Sequence, residues 1–435
     1  MNRKILKNIG ELLTCSEELD NNDLGIIKNA ALVIENDIIK DYGKNDYILK
    51  QYEKEKYEII DIDFNPILPG FIDSHTHFVF GGYRDDEFNQ RLRGKSYEEI
   101  MESGGGIVNT VNSTRKASFS KLKKLGSQRL NNMLQNGVTT VEGKSGYGLN
   151  LETEKKQLKV MKELNQRHAI DIVTTFMGAH STPSSFKTSE NYTDYLINKM
   201  LPEISKENLA EFNDVFCDKG AFSIEESRKI MKTASNLGFK LKIHADEIEN
   251  TGAAELASEM KAVSAEHLLK VSNNGIEELV KNNVKPVLLP ITAFSLKEKY
   301  APAKKMIDMG LEPAIATDFN PGSCFSESIP LLLSLATLYM NMTPEEAIRG
   351  LTINAAQALN KEKEVGSIEI GKKADLVILS APSYTHLTYH IAHNSVKDVI
   401  KNGEYVIENT NFNGRNWNEK IWGIQFKWIC WKISQ

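Results

Sequence analysis

The sequence predicts an α/β fold built on a (β/α)8 barrel, with a small β-sandwich domain assembled from both ends of the chain. Three observations carry this. Between residues 69 and 365, short apolar or β-branched runs alternate with longer stretches of helical periodicity; most of those runs end on a polar residue; and both flanks drop the alternation for short strand-like segments joined by Gly-Lys turns.

The runs are 70–73, 138–141, 171–176, 214–216, 241–243, 262–265, 286–289 and 313–316, which makes eight candidate strands. Between them, segments such as 118–136 and 224–237 return an apolar residue every three or four positions, the mark of an amphipathic helix. An open doubly wound sheet would give the same strand count. The polar endings favour the barrel, because its active sites gather at the carboxyl ends of the strands. Residues 1–68 and 366–410, with Ala31-Leu32-Val33-Ile34 and Ala374-Asp375-Leu376-Val377-Ile378-Leu379, read as the small β domain. Residues 411–435 hold all four tryptophans and form a tail to which the sequence assigns no role.

Length supports two units. A single core rarely grows past roughly 250 to 300 residues, and the chain has 435. Apolar residues at 41% and charged residues at 26% are those of a globular protein, not a disordered one. A net charge of −5, with Lys and Arg spread throughout, excludes a nucleic-acid partner. No apolar run approaches the roughly 20 residues that cross a bilayer, so no membrane partner is expected and the predicted location is the cytoplasm. Cys15, Cys217, Cys324 and Cys430 lie far apart with no CxxC pair, as reduced thiols would, and Cys217 reads as a buried strand residue.

The candidate chemistry sits at the strand ends. His75-Thr76-His77 follows the first run, and alternation along an extended chain sends both imidazoles to one face. His180 follows the third run, His244 the fifth and His267 the sixth, while Asp318 closes the eighth. Five of nine histidines thus fall at predicted strand ends. Imidazoles with one carboxylate suit zinc or iron better than magnesium or calcium, and His75, His77, His244 and Asp318 are the expected ligands. Glu247, three residues beyond His244, is placed to move protons; Asp246 reads as a helix cap.

Leu68-Pro69-Gly70-Phe71-Ile72-Asp73-Ser74-His75-Thr76-His77 resembles the first-strand signature of the amidohydrolase superfamily. Further stretches resemble the branch of that superfamily which opens the ring of imidazolone propionate in histidine breakdown. They are Arg84-Asp85-Asp86-Glu87-Phe88, Arg91-Leu92-Arg93-Gly94, Gly104-Gly105-Gly106-Ile107, Lys144-Ser145-Gly146-Tyr147-Gly148-Leu149, Gly178-Ala179-His180, His244-Ala245-Asp246-Glu247 and Asp318-Phe319-Asn320-Pro321-Gly322-Ser323. The resemblance implies a metal-dependent hydrolase barrel with one zinc or iron ion per subunit on His75, His77, His244 and Asp318. It implies substrate contacts from Arg84, Tyr147, His180, Glu247, Asn320, Gly322 and Ser323, and catalytic roles for Glu247, His267 and Asp318. The small-molecule substrate carries a carboxylate that the planar fork of Arg84 suits. A homodimer is the assembly allowed for.

Two positions depart from the pattern: Gly143 stands where a β-branched residue is expected before Lys144, and Ile291 follows Pro290 where a small one is. Ile291 is expected to crowd the seventh strand end. Three rivals remain open at the level of sequence: a deaminase of cyclic amidines, which shares the His-x-x-Glu spacing; a binuclear hydrolase with Lys144 carbamylated as a bridge; and a catalytically inactive metal-binding homologue. Arg84 with Tyr147 separates the first, since a neutral base needs no carboxylate grip.

Overall fold

The computed structural model describes residues 3–408, except 21, 96–98 and 100–104. The tryptophan-rich tail and Gly104 of the glycine motif lie outside the described residues. Strands β1 (Arg3–Leu13), β2 (Ile26–Glu35), β3 (Ile38–Lys44), β4 (Glu58–Asp61) and β5 (Ile67–Pro69) come first. The barrel strands follow: β6 (Phe71–Asp73), β7 (Val138–Lys144), β8 (Asp171–Ala179), β9 (Phe212–Cys217), β10 (Lys240–Ala245), β11 (Ser264–His267), β12 (Lys285–Leu288) and β13 (Ala314–Ile315). Then come β14 (Leu376–Leu379), β15 (Val396–Lys401) and β16 (Glu404–Glu408).

Strands β6 to β13 pair in chain order, all parallel, and each overlaps one of the eight predicted runs. The sheet closes just past the ends of its first and last strands. There Thr76 bridges Phe319 in parallel, the Asp318 amide donates to the His75 carbonyl at 3.0 Å, and the His77 amide donates to the Phe319 carbonyl at 2.9 Å. The seam therefore fastens together the two segments that carry His75, His77 and Asp318.

The predicted helices form where local chemistry starts them. Ser118 caps Phe119–Gln135 by accepting from the Lys121 amide, and Ser223 with Glu226 makes a capping box for Ile224–Asn236. Their apolar stripes, including Leu122, Leu130, Met133, Ile230 and Met231, pack into the main core. Gly143 has a reason specific to this chain: a Cβ there would lie 2.7 Å from the Phe78 ring, so a β-branched residue cannot share the space. Ile291 is buried in the main core, while its neighbour Thr292 turns to Asp318.

The terminal strands form a second sheet in the order β16-β15-β14-β5-β1-β2-β3, with β4 also on β1. The sandwich expected here is one continuous sheet. Its long first strand serves both halves, pairing with β4 through Lys4 to Lys7 and with β5 at Leu12, across a bulge between Leu6 and Ile9. The sheet curls until Ile38, in β3, bridges Lys373 beside β14. Two-layer packing is thus met by one sheet rolled around Leu6, Ile9, Leu32, Leu376 and Ile400. Cys15, Cys217 and Cys324 are free and buried. Among the described residues, no helix is long and apolar enough to cross a membrane.

Candidate metal centre and substrate cleft

Five strand-end side chains converge at the carboxyl mouth of the barrel. The His75 ring lies 5.4 Å from His77 and 4.6 Å from His244 between centroids. Asp318 Oδ1 is 3.5 Å from His75 Nε2 and 3.8 Å from His77 Nε2. Donor atoms of His75, His77 and His244 all lie within 4.8 Å of one another, and those of His75, His267 and Asp318 do likewise. Among the described residues Nε2 of His75 and Nδ1 of His77 and His267 are buried without a hydrogen-bond partner, while Nδ1 of His75 and of His244 face the carboxylates of Glu266 and Asp214. Buried polar atoms are rarely left so. Converging imidazoles with unsatisfied nitrogens beside a carboxylate fit a metal ion.

The backbone is bent to make this cluster. His267 (φ 71°) and Asp318 (φ 53°) hold left-handed conformations, which cost roughly 1–3 kcal/mol each in a residue other than glycine. Hydrogen bonds from their neighbourhoods hold them: Leu268 to the Ala245 carbonyl, and Asp318 to that of His75. Asp73, also buried, accepts from the amide of Thr317 at 3.0 Å and from its hydroxyl at 2.6 Å, which fixes the turn into Asp318.

Around the cluster stand the side chains expected to line the cleft. His180 donates through Nδ1 to the Gly146 carbonyl, 3.1 Å away, and its ring lies 5.2 Å from His77 and 5.3 Å from Tyr147. Since a carbonyl can only accept, Nδ1 carries the proton. Burial, helped by the nearby His244, pushes His180 down to about 4, so this imidazole is neutral at physiological pH. The Tyr147 loop is tied by buried Glu154, which accepts from the amides of Gly146, Gly148 and Leu149 at 2.7–2.9 Å.

Glu247 Oε1 is 3.5 Å from His267 Nδ1. Burial first, then the charges of Asp318 and Asp218, push its carboxyl up to about 8. Its backbone is set by Asp218, whose carboxylate accepts from the amides of Glu247, Ile248 and Glu249 at 2.7, 2.9 and 3.1 Å. Asp246 does not hold the cap position of the next helix, which is Gly252, but its buried carboxylate accepts from the Thr251, Ala253 and Ala254 amides where that helix begins. Arg84 packs against Gly322, where an added Cβ would sit 2.2 Å from Nη1, and its Nε donates to Glu87 at 2.8 Å. Asn320 Oδ1 accepts from the Gly322 and Ser323 amides at 2.8 Å each, shaping the loop that faces Arg84.

The sequence reading missed a layer of charge directly beneath the histidines. Glu142, Lys144, Asp214, Lys242 and Glu266 are each 0% exposed. Lys144 Nζ lies 3.0 Å from Glu142, 2.7 Å from Asp214 and 2.8 Å from Glu266; Lys242 Nζ lies 2.8 Å from both Glu142 and Glu266. An amine held by three carboxylates is an ammonium, so Lys144 does not have the neutral nitrogen that a bridging carbamate requires, and the binuclear rival loses its basis. The available signal was alternation: Lys242 shares a strand face with His244, and Glu142 with Lys144.

The barrel with its cluster of strand-end histidines has the form of a hydrolase built to take a metal ion. The Amidohydrolase family model matches residues 67–406, and the chain belongs to this family. Within it the chain stands with the imidazolonepropionases. It is 50% identical over 410 residues to that of Parabacteroides distasonis, covering 93% of this chain and 99% of the relative. With that of Clostridium tetani it shares 52% over 408 residues, covering 92% and 97%. Solved structures extend the likeness in fold. An adenosine deaminase from Xanthomonas campestris with bound zinc aligns at a TM-score of 0.70 and 15% identity, over 93% of each chain. The guanine deaminase of E. coli aligns at 0.70 and 14%, over 94% of this chain and 100% of that one.

Proposed function

We propose that this chain hydrolyses the ring amide of 4-imidazolone-5-propanoate to N-formimidoyl-L-glutamate, as a cytoplasmic enzyme with one zinc or iron ion per subunit held by His75, His77, His244 and Asp318. The observation that carries the substrate is Arg84: a guanidinium packed on the Asn320–Ser323 loop, which is itself tied to the Asp318 carbonyl through Asn320, suits a small ring with a carboxylate tail. When bound, the ion supplies Lewis-acid polarisation and a water of lowered pKa.

The side chains divide the remaining work. Arg84 grips the propionate, with the Gly322 and Ser323 loop closing on the same end. Tyr147 and neutral His180 bound the ring. Asp318 accepts the proton of the attacking water, its Oδ2 steadied by the Thr292 hydroxyl at 2.7 Å. His267 polarises the ring carbonyl as the tetrahedral intermediate forms. Glu247, protonated near neutrality, orients the ring nitrogens and delivers the proton that lets the carbon–nitrogen bond break.

The direct test is turnover of freshly generated imidazolone propionate, followed by absorbance alongside metal analysis. Loss of the imidazolone with release of formimidoyl-glutamate is expected. Metal-loaded protein that leaves the imidazolone intact would sink the assignment, and ammonia release from a cyclic amidine would put a deaminase in its place.

Asp218 gives a more local check. Asp218→Ala frees the three amides that set Glu247, and a displacement of about 1 Å can cost roughly 100-fold in rate. We expect kcat to fall about 10- to 100-fold with metal content unchanged. Unchanged kcat in steady-state kinetics would remove Glu247 from the proton path.

A further inference from the structure

The buried charge layer has a geometry that barrel stability alone does not require. Two of its three carboxylates turn upward, each to a different histidine. Glu266 Oε2 contacts His75 Nδ1, and Asp214 Oδ2 lies 3.0 Å from His244 Nδ1. The same two oxygens lie 2.8 and 2.7 Å from the Lys144 ammonium, which sits between them. The other Glu266 oxygen is held by Lys242 at 2.8 Å and by the Ser264 hydroxyl at 3.0 Å. Glu142 differs: it pairs with both lysines and accepts from Thr175, and among the described residues it has no ion pair with a histidine.

We propose that Glu266 and Asp214, locked in place by Lys144 and Lys242, are positioning residues that set the tautomer of His75 and His244, so that both rings turn Nε2 toward the ion. The inference rests on the reading of those two histidines as ligands. The physical reasoning is short. A neutral imidazole carries one N–H; a carboxylate that can only accept draws that N–H to Nδ1, leaving the Nε2 lone pair for the ion. A carboxylate free to rotate would set nothing; Glu266 is held through both oxygens by Lys144 and Lys242, and Asp214 through Oδ2 by Lys144. The arrangement also explains why costly charge is retained under the site. Three carboxylates against two lysines leave one negative charge in excess, directly below the place of a cation.

The test compares Glu266→Gln, Asp214→Asn and Glu142→Gln in otherwise full-length protein, with zinc affinity read by chelator competition. Each removes one buried negative charge, and an oxygen of Glu142 also lies within 4.8 Å of the His75 and Glu266 donor atoms, so a purely through-space effect weakens zinc in all three to a similar degree. Outer-shell partners of metal-bound histidine typically contribute about 10- to 100-fold in affinity. We expect that loss for Glu266→Gln and Asp214→Asn and a clearly smaller one for Glu142→Gln. Equal losses in all three, or unaltered affinity with only a lower melting temperature, would overturn the proposal.

Where a variant does not fold, the crystal structure of the zinc-loaded wild-type enzyme decides. Ligation through Nε2 of His75 and His244, with Nδ1 on the carboxylates, is expected. Ligation through Nδ1 of either ring overturns the positioning role, whereas an ion bound without these histidines overturns the ligand reading instead.

Discussion

His75→Ala and His244→Ala are expected to lose metal and turnover together. Each removes an imidazole from a cluster with few alternatives: His77 and Asp318 remain, and His267 stands on the far side, within reach of His75 and Asp318. The loss of zinc affinity should exceed the roughly 10- to 100-fold typical of outer-shell changes, because a donor is deleted outright. His75→Ala should be the more severe. His75 belongs to three of the four donor groups among the described residues, and its backbone carbonyl lies in the barrel seam that carries Asp318. His180→Ala makes the contrast, since a ring that bounds the substrate should raise KM while zinc stays bound. Metal analysis of purified protein with parallel assays reads all three. Wild-type zinc and rate in either ligand variant would sink the assignment.

How much of this was legible in the sequence depended on range. Strand-end histidines could be read because the signal is local: an apolar run, a polar stop and a two-residue alternation put His75 and His77 on one face. The eight runs and the helices at 118–136 and 224–237 carried the barrel for the same reason. What lay beyond local pattern was partnership. Lys242 interrupts an apolar strand and Lys144 follows Glu142 and Gly143, so the chain shows isolated charges in odd places. Only closure of the barrel reveals that these charges neutralise one another across its axis.

The carboxylates that tie the loops were hidden in a different way. Asp218 and Glu154 look like ordinary surface acids in sequence. Each nevertheless collects backbone amides and thereby places a residue of the proposed site, Glu247 in one case and Tyr147 in the other. The rolled sheet was hidden as well. Two short sets of strands at opposite ends of the chain suggest two layers, and nothing in their spacing shows that the long first strand joins them into one.

Arg84→Met tests the substrate by charge alone. If Arg84 grips the propionate, the variant should keep its metal, because among the described residues the guanidinium's ion pair is to Glu87 and its packing is on Gly322, and neither belongs to the histidine cluster. Truncating one partner of a buried charge pair costs roughly 2 to 5 kcal/mol, about 30- to several-thousand-fold in kcat/KM at 1.4 kcal/mol per tenfold. The loss should follow the substrate's carboxylate. A neutral amide analogue already lacks that charge, so the mutation should cost it far less, and the two substrates with the two enzymes close a double-mutant-style cycle. Glu87 supplies the internal control: once Arg84 is gone its carboxylate still accepts from the Gly106 amide and from Asn109, so the loop stays anchored. Equal losses with acid and amide would mean that Arg84 supports the Gly322 loop and nothing more, and a neutral ring would then become the better substrate to pursue.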